Sequence, residues 1–355
     1  MSVFPFHIGN RRVGAGEPVF VIAELSANHL GSLETALAII DAAAEVGASA
    51  IKLQHYRPET ITVRSDLPEF RASSGSLWDG RQLFDLYEEA MTPWEWTDPL
   101  IDRAKSRGLE WFSSPFDRTA VEFLEGFEPP AYKIASFELV DLPLIRLIAS
   151  TGRPVVMSTG MASLDEIDDA VGAAREAGCR DLILLRCNSG YPASPDEMDL
   201  ASIPVIRDRY GCQVGLSDHT LDSTAAVVSV ALGGTVIEKH LTLSRATGGP
   251  DGAFSLEPDE MRDLVGQVEL ARRVLGEERF GPSAREESSV AFRRSLRAAR
   301  AIARGERINV DNVKSFRPAG GLAPERLSSI LGKRVLRDLV AGEAVTPDVL
   351  ADSAE

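Results

Sequence analysis

A chain of 355 residues with 44% apolar and 26% charged residues has the composition of a globular protein with a hydrophobic core, and excludes a disordered or fibrous one. Its 53 Asp and Glu against 38 Lys and Arg give a net charge of −15 with no basic block to relieve it, which excludes duplex nucleic acid and anionic membrane surfaces as partners. At roughly 150 residues per domain, the length suggests about two domains, or one α/β barrel with a small companion.

The opening stretch MSVFPFHIGNRRVG has neither the basic start and apolar run of a signal peptide nor a small-residue cleavage site, and no window holds about 18 uninterrupted apolar residues. It reads as the start of a soluble, unexported, cytoplasmic chain. From Val19 onward, short β-branched runs alternate eight times with amphipathic helical stretches. The predicted strands are VFVIAEL (19–25), AIKLQHY (50–56), EWFSSPF (110–116), AYKIASF (131–137), PVVMSTG (154–160), DLILLRC (181–187), QVGLSDHT (213–220) and TVIEKHLTL (235–243). Between them, SLETALAIIDAAAEVG (32–47) offers Ser32 as N-cap and Gly47 as stop. SLDEIDDAVGAAREAG (163–178) repeats that grammar, with Ser163 as cap and Glu166 at the capping-box position. Strands alternating with helices imply parallel pairing and right-handed crossovers. Eight such units point to a closed (β/α)8 TIM barrel, with a doubly wound open sheet as the alternative.

The stretch 57–109 is too long for one crossover and reads as an elaborated loop at the catalytic face. Packing of that loop onto the barrel rim is the preferred reading of Trp78, Trp94 and Trp96, and substrate lining is the alternative. A helix over 258–276 ends the barrel domain, 1–276; the polar 277–292 reads as a linker and 293–355 as a small module. In that module IARGERINVDNV (302–313) echoes LVAGEAVTPDVL (339–350), which predicts two related halves around turns at Gly305 and Gly342. Cys179, Cys187 and Cys212, an odd set without a CxxC pair, indicate neither a disulfide scaffold nor a thiolate zinc site and read as small buried side chains.

Active residues of a TIM barrel collect at the C-terminal ends of its strands. The polar residues of this chain gather there: Glu24, Asn28 and His29, then Lys52, Gln54 and His55, then Ser113 and Ser114, then Lys133, Ser136 and Glu138. Ser158 and Thr159 end the fifth run, Asn188, Ser189 and Tyr191 follow the sixth, Ser217, Asp218 and His219 close the seventh, and Glu238 and His240 sit in the eighth. Neighbouring strands lie about 4.8 Å apart, so His219 and His240 are within reach of one divalent ion, and Glu238 shares the face of His240. A mixed nitrogen and oxygen set favours Mn2+, with Mg2+, Co2+ or Zn2+ as alternatives; substrate hydrogen bonding or core packing is the other reading of the pair. Lys52 and Lys133, with the hydroxyls of Ser114, Ser136, Ser158, Ser189 and Ser217, supply the point charges and donors that a phosphate plus a carboxylate requires. A Schiff-base role for Lys133 and structural ion pairing stay open beside it. The glycine-rich HLGS and GGPDG match neither a P-loop nor a dinucleotide fingerprint.

IAELSANH, AIKLQ, FSSPFD, AYKIASFE, VVMSTGMA, GLSDHT and IEKHLTLSR, followed in the small module by FRRSLRAARAIARGE and RPAGGL, resemble the sialic acid synthase family. These are the phosphoenolpyruvate-dependent nonulosonate synthases, and the resemblance covers about residues 18–352. LSANH, SLWDGRQLFDLY and AMTPWEW most resemble the pseudaminic acid branch, and the small module resembles an antifreeze-like, or SAF, domain. The resemblance implies a metal-dependent, C–C bond-forming transferase that joins phosphoenolpyruvate to 2,4-diacetamido-2,4,6-trideoxy-L-altrose with water and releases phosphate. N-acetylneuraminate or legionaminate synthesis by the same chemistry is the nearest alternative; a lysine-dependent aldolase or lyase and a carbohydrate-binding protein are more distant. It implies His219 and His240 as ligands of a divalent cation, and Lys52, Ser114, Lys133, Ser136, Ser158 and Ser217 as the phosphoenolpyruvate site. Ser189, where neuraminate-type members carry asparagine, and Tyr191 follow as further substrate contacts. Glu24 becomes the acid/base residue, with Glu138, Glu238 and Asp251 as supporting carboxylates. Finally, it implies a domain-swapped homodimer in which Arg317 of RPAGG reaches the sugar held by the other barrel.

Overall fold

A computed structural model describes residues 4–72 and 77–351; the chain ends and Ser76 of the SLWDGRQLFDLY stretch lie outside them. A short hairpin, β1 (Phe6–Ile8) with β2 (Arg11–Val13), precedes eight parallel strands. These are β3 (Phe20–Glu24), β4 (Ala50–His55), β5 (Glu110–Pro115), β6 (Tyr132–Ile134), β7 (Val155–Ser158), β8 (Leu182–Cys187), β9 (Gln213–Asp218) and β10 (Val236–His240). They close in the order β10, β3, β4, β5, β6, β7, β8, β9, so the fold is the closed barrel and not the open sheet. Each strand lies inside one of the eight predicted runs.

The helices follow from caps and amphipathic faces. α1 (Leu33–Glu45) starts where the Ser32 side chain accepts from Thr35 N, and the chain turns away through Gly47 at φ +86°, a conformation glycine adopts without a Cβ clash. The long excursion carries α2 (Pro58–Ile61) and α3 (Leu83–Ala90), and α4 (Thr97–Ser106) then leads back into the barrel. Around the barrel follow α5 (Arg118–Glu125), α6 (Leu142–Ser150), α7 (Leu164–Glu176), α8 (Ser202–Tyr210), α9 (Thr224–Ala231) and α10 (Pro258–Leu275). α7 opens on a complete capping box between Ser163 and Glu166.

Side chains alternate across each strand, and this divides the core in two. Val21, Ala23, Ile51 and Leu53 face outward and pack with Ile39, Ile40 and Ala43 of α1. Phe20, Ile22, Ala50, Phe112, Val156 and Val236 fill the barrel's interior, where Ile8 and Val13 of the hairpin join them. The middle of the interior is therefore apolar, with Glu110 and Gln213 bonded to Asn10 N and the Phe4 carbonyl at its lower end and the cluster of candidate polar side chains at its upper rim.

The excursion is pinned by packing. His55 is buried between Ser113 Oγ at 2.7 Å and Thr97 Oγ1 at 2.9 Å, and burial pulls its pKa down to about 3, so it is a neutral hydrogen-bonding wedge. Trp94 stacks on Phe123 at 4.5 Å between ring centroids, and Trp96 meets His29 edge-on at 5.5 Å. Both tryptophans pack the loop onto the rim.

The chain divides into two compact units, Met1–Gly276 and Glu277–Glu355. Residues 277–292, read from composition as a linker, group with the second unit, where Glu287–Phe292 forms a 3-10 turn. There β11 (Ser295–Ala298) pairs antiparallel with β12 (Val313–Phe316), and α11 (Leu327–Ile330) follows. Leu296, Ile302, Ile308, Val335, Leu339 and Val345 share one small core, and the Ile302–Leu339 bridge joins the two echoing segments. Among the described residues no helix is long and apolar enough to cross a membrane.

Between β9 and β10, on the outer side of the sheet, Lys239 Nζ donates to Asp218 Oδ2 at 2.7 Å, and both side chains are 0% exposed. Thr220 closes the arrangement, its N–H and hydroxyl both donating to Asp218 Oδ1. Lys239→Met alone leaves a carboxylate buried without its cation, and chemical denaturation should register a loss of about 3–5 kcal/mol. The joint replacement Asp218→Leu with Lys239→Met should recover most of that loss.

Candidate active site

The C-terminal ends of the barrel strands open into a cavity of about 1200 Å3. β3 brings Glu24 to its floor, β4 brings Lys52 and Gln54, β5 Ser114, β6 Lys133, β7 Ser158, β9 Ser217, and β10 Glu238 and His240. The loops beyond the strands add Ser136, Glu138, Ser189, Tyr191, His219 and Asp251. The candidate residues of the barrel thus line one cavity. Arg317 belongs to the second unit, directly after β12.

An ion network holds the floor. Lys52 Nζ lies 2.7 Å from Glu24 Oε2 and 3.1 Å from Glu238 Oε1, and donates to Ser114 Oγ at 3.3 Å. Burial pulls the Lys52 pKa down, but the Glu238 and Glu24 carboxylates outweigh it and hold the ammonium charged. Lys133 Nζ donates to Ser158 Oγ at 2.7 Å and to the Ile134 carbonyl at 2.9 Å, with Glu238 Oε1 4.0 Å away. Lacking a closer carboxylate, Lys133 is lowered by burial to about 8. Burial pushes Glu24 up to about 7 against the pull of Lys52, while Ser26 N donates to its Oε1 at 2.8 Å. Glu238 is held low, because Lys133 and Lys52 together overcome its burial. Two ammonium groups and two carboxylates therefore share a water-poor floor.

The histidines stand beside this network with ring centroids 5.4 Å apart. His219 Nδ1 lies 2.8 Å from the Asn188 carbonyl, which can only accept; Nδ1 therefore carries the proton and Nε2 is the nitrogen left for another partner. His240 is held neutral by burial and by the neighbouring His219, and its buried Nδ1 has no hydrogen-bond partner within the protein. Asp251 Oδ2 lies 4.0 Å from that nitrogen and accepts from Ala27 N at 3.1 Å. Two imidazoles with open nitrogens fit a divalent cation of intermediate hardness. Among the described residues no three His, Cys, Asp or Glu converge on one metal point, so water or substrate oxygens would complete the coordination.

Several rim residues turn elsewhere. Asn28 donates to the Leu241 carbonyl and to Ser255 Oγ, Thr159 to the Leu185 carbonyl, and His55, Ser113 and Asp218 serve the outer packing. Residues outside the predicted set also shape the cavity. Tyr87 enters from α3 and Phe254 from the loop before α10, neither placed by a strand-end pattern. Gly160 acts through two lining residues: a Cβ there would come within 2.3 Å of Ser189 Oγ and 2.7 Å of Ser136 Oγ, so glycine leaves room for both hydroxyls. Its position in VVMSTGMA, one turn beyond a strand end, was the available signal.

The NeuB family model matches residues 39–280 and the SAF domain model residues 293–351. The chain belongs to the NeuB family. The pseudaminic acid synthase of Campylobacter jejuni is 42% identical to this NeuB-family chain over 338 residues, spanning 95% of this chain and 98% of its own length. The N,N'-diacetyllegionaminic acid synthase of Legionella pneumophila is 32% identical over 339 residues, 93% of this chain and 94% of its own length. The crystal structure of N-acetylneuraminic acid synthetase from Leptospira borgpetersenii in complex with citrate superposes with a TM-score of 0.73 at 31% identity, covering 81% of this chain and 95% of that one. This NeuB-family member is a C–C bond-forming enzyme of the nonulosonate synthase type.

Gly160→Ala should lower synthase turnover by roughly tenfold to a hundredfold, because the displaced Ser136 and Ser189 no longer converge. Steady-state phosphate release measures it, and a thermal midpoint close to wild type separates the effect from misfolding.

Proposed function

We propose that the chain condenses phosphoenolpyruvate with 2,4-diacetamido-2,4,6-trideoxy-L-altrose and water to give phosphate and a nine-carbon 2-keto acid of the pseudaminic type. The observation that carries this reading is the pair of buried lysines, Lys52 and Lys133, clasped by Glu24 and Glu238 beside His219 and His240. The higher identity to a pseudaminic acid synthase than to a legionaminic acid synthase supports the choice of sugar.

In this reading Lys52, Lys133, Ser114, Ser136, Ser158 and Ser217 hold the phosphate and carboxylate of phosphoenolpyruvate, with Ser189 and Tyr191 contributing on the sugar side. The entering anion stabilises the Lys133 ammonium that burial disfavours, so substrate binding and lysine protonation reinforce each other. His219 and His240 would hold a divalent cation, manganese by preference from the donor set, and when bound it would supply Lewis-acid polarisation of the sugar aldehyde oxygen. C3 of phosphoenolpyruvate then bonds to C1 of the aldehyde, and C2 is left electron-poor next to the carboxylates of Glu24 and Glu238. Water adds at C2 as Glu24, poised near neutrality, takes its proton and passes it to the former aldehyde oxygen, which becomes a hydroxyl; the tetrahedral species then collapses by C–O cleavage, the C2 hydroxyl proton leaving with phosphate against the lysines as the ketone forms. Glu138 and Asp251 orient hydroxyl or amide groups of the sugar. The reading includes a domain-swapped homodimer in which Arg317 of the partner subunit reaches that sugar, carried by the resemblance of RPAGGL alone.

Phosphate release by itself does not identify the sugar, so the test is the mass of the product. With Mn2+ and phosphoenolpyruvate, the diacetamido-trideoxy sugar should give a nine-carbon diacetamido keto acid, and N-acetylmannosamine should react far more slowly. Exclusive use of N-acetylmannosamine would overturn the assignment.

A further inference from the structure

The cavity has two chemically different regions. Its floor is ionic, but above the histidines stands a wall of rings. Tyr191 lies 4.4 Å from His219 and 4.9 Å from Phe254, and Phe254 lies 4.9 Å from His240. Trp78 stands one ring farther out, 5.7 Å from Tyr191 and 6.5 Å from Phe254. Unlike Trp94 and Trp96, Trp78 faces the cavity.

The decisive detail is the indole nitrogen. Trp78 Nε1 donates to the Pro250 carbonyl at 2.9 Å, which ties the excursion between β4 and β5 to the loop before α10. The only hydrogen-bonding atom of the indole is thereby consumed, and Phe254 has none. This part of the wall offers a ligand neither donor nor acceptor. An acetamido group placed against it would leave its N–H and C=O unpaired, and a hydroxyl would lose its water without replacement. A methyl group has nothing to lose there.

Resting on the proposed reaction, in which the aldehyde carbon sits at the histidines, the sugar chain runs outward along these rings with its sixth carbon at the far end. We propose that Trp78, backed by Phe254, seats the C6 methyl of the 6-deoxy sugar and is a specificity-determining residue of this enzyme. It selects against the same diacetamido sugar bearing a hydroxyl at C6, because the faces of Trp78 and Phe254 offer that hydroxyl no partner.

The test compares kcat/KM for the 6-deoxy sugar and its 6-hydroxy counterpart, with phosphoenolpyruvate and Mn2+ saturating. Wild type should prefer the 6-deoxy sugar by roughly tenfold to a hundredfold, the range an apolar pocket achieves against an added hydroxyl. Trp78→Ala should bring the two within a few fold, raising KM for the sugar while leaving KM for phosphoenolpyruvate unchanged. Trp78→Tyr keeps a ring and adds one hydroxyl, and should shift the ratio toward the 6-hydroxy sugar; this arm decides alone if the alanine variant fails to fold. A wild-type ratio in both variants, or equal wild-type use of both sugars, would overturn the inference while the reaction assignment stands. A wild type that accepts neither diacetamido sugar would instead remove the reaction assignment on which it rests.

Discussion

The site depends on one buried ammonium group shared between two carboxylates. Lys52 Nζ lies 2.7 Å from Glu24 and 3.1 Å from Glu238 and donates to Ser114 Oγ, and its side chain is only 7% exposed. Burying a charge is costly unless it is paired and hydrogen-bonded, so this lysine, its two partners and the strands that carry them stand or fall together. β3, β4 and β10 are adjacent in the barrel, and their register sets Glu24 opposite both Lys52 and His240. Barrel closure is therefore what makes the charge arrangement possible, since β10 pairs with β3 only in the closed sheet.

The two lysines are not equivalent. Lys52 lies within 3.1 Å of two carboxylates, whereas Lys133 makes two hydrogen bonds and sees Glu238 only at 4.0 Å. One of its N–H donors is unspent. In the proposed reaction an incoming phosphate or carboxylate would complete the solvation of Lys133, while Lys52 would keep Glu24 and Glu238 ordered beside it. The chain's net charge of −15 does not oppose this, because recognition is local: the floor carries as many ammonium groups as carboxylates.

The barrel was legible in the sequence because β-branched runs alternating with capped amphipathic helices leave few other arrangements. The rim was legible because polar residues ending an apolar strand are anomalous unless they face a shared pocket. Sidedness was read only for Glu238 and His240. Asp218 lies between Ser217 and His219, and Lys239 between Glu238 and His240; both lie in polar strand ends, yet the alternation of side chains turns them outward into a mutual ion pair. His55 is likewise one residue from Gln54 and on the opposite face. For Trp78 the substrate-lining alternative, not the preferred packing, matches its place in the cavity, and Tyr87 and Phe254 were hidden for another reason: they come from α3 and a loop, whose path over the rim depends on contacts such as Trp94 on Phe123 and not on a local pattern. Gly160 matters only through its neighbours Ser136 and Ser189, which are distant in the chain.

The central claim is that the ionic floor binds phosphoenolpyruvate through the unspent donor of Lys133. Titration calorimetry of phosphoenolpyruvate into the wild type and Lys133→Met, with matched thermal midpoints, tests it most directly. The account predicts a dissociation constant weakened by roughly thirtyfold or more in the variant, the cost of removing a buried charge-assisted hydrogen bond. Equal affinity in the two proteins would contradict it.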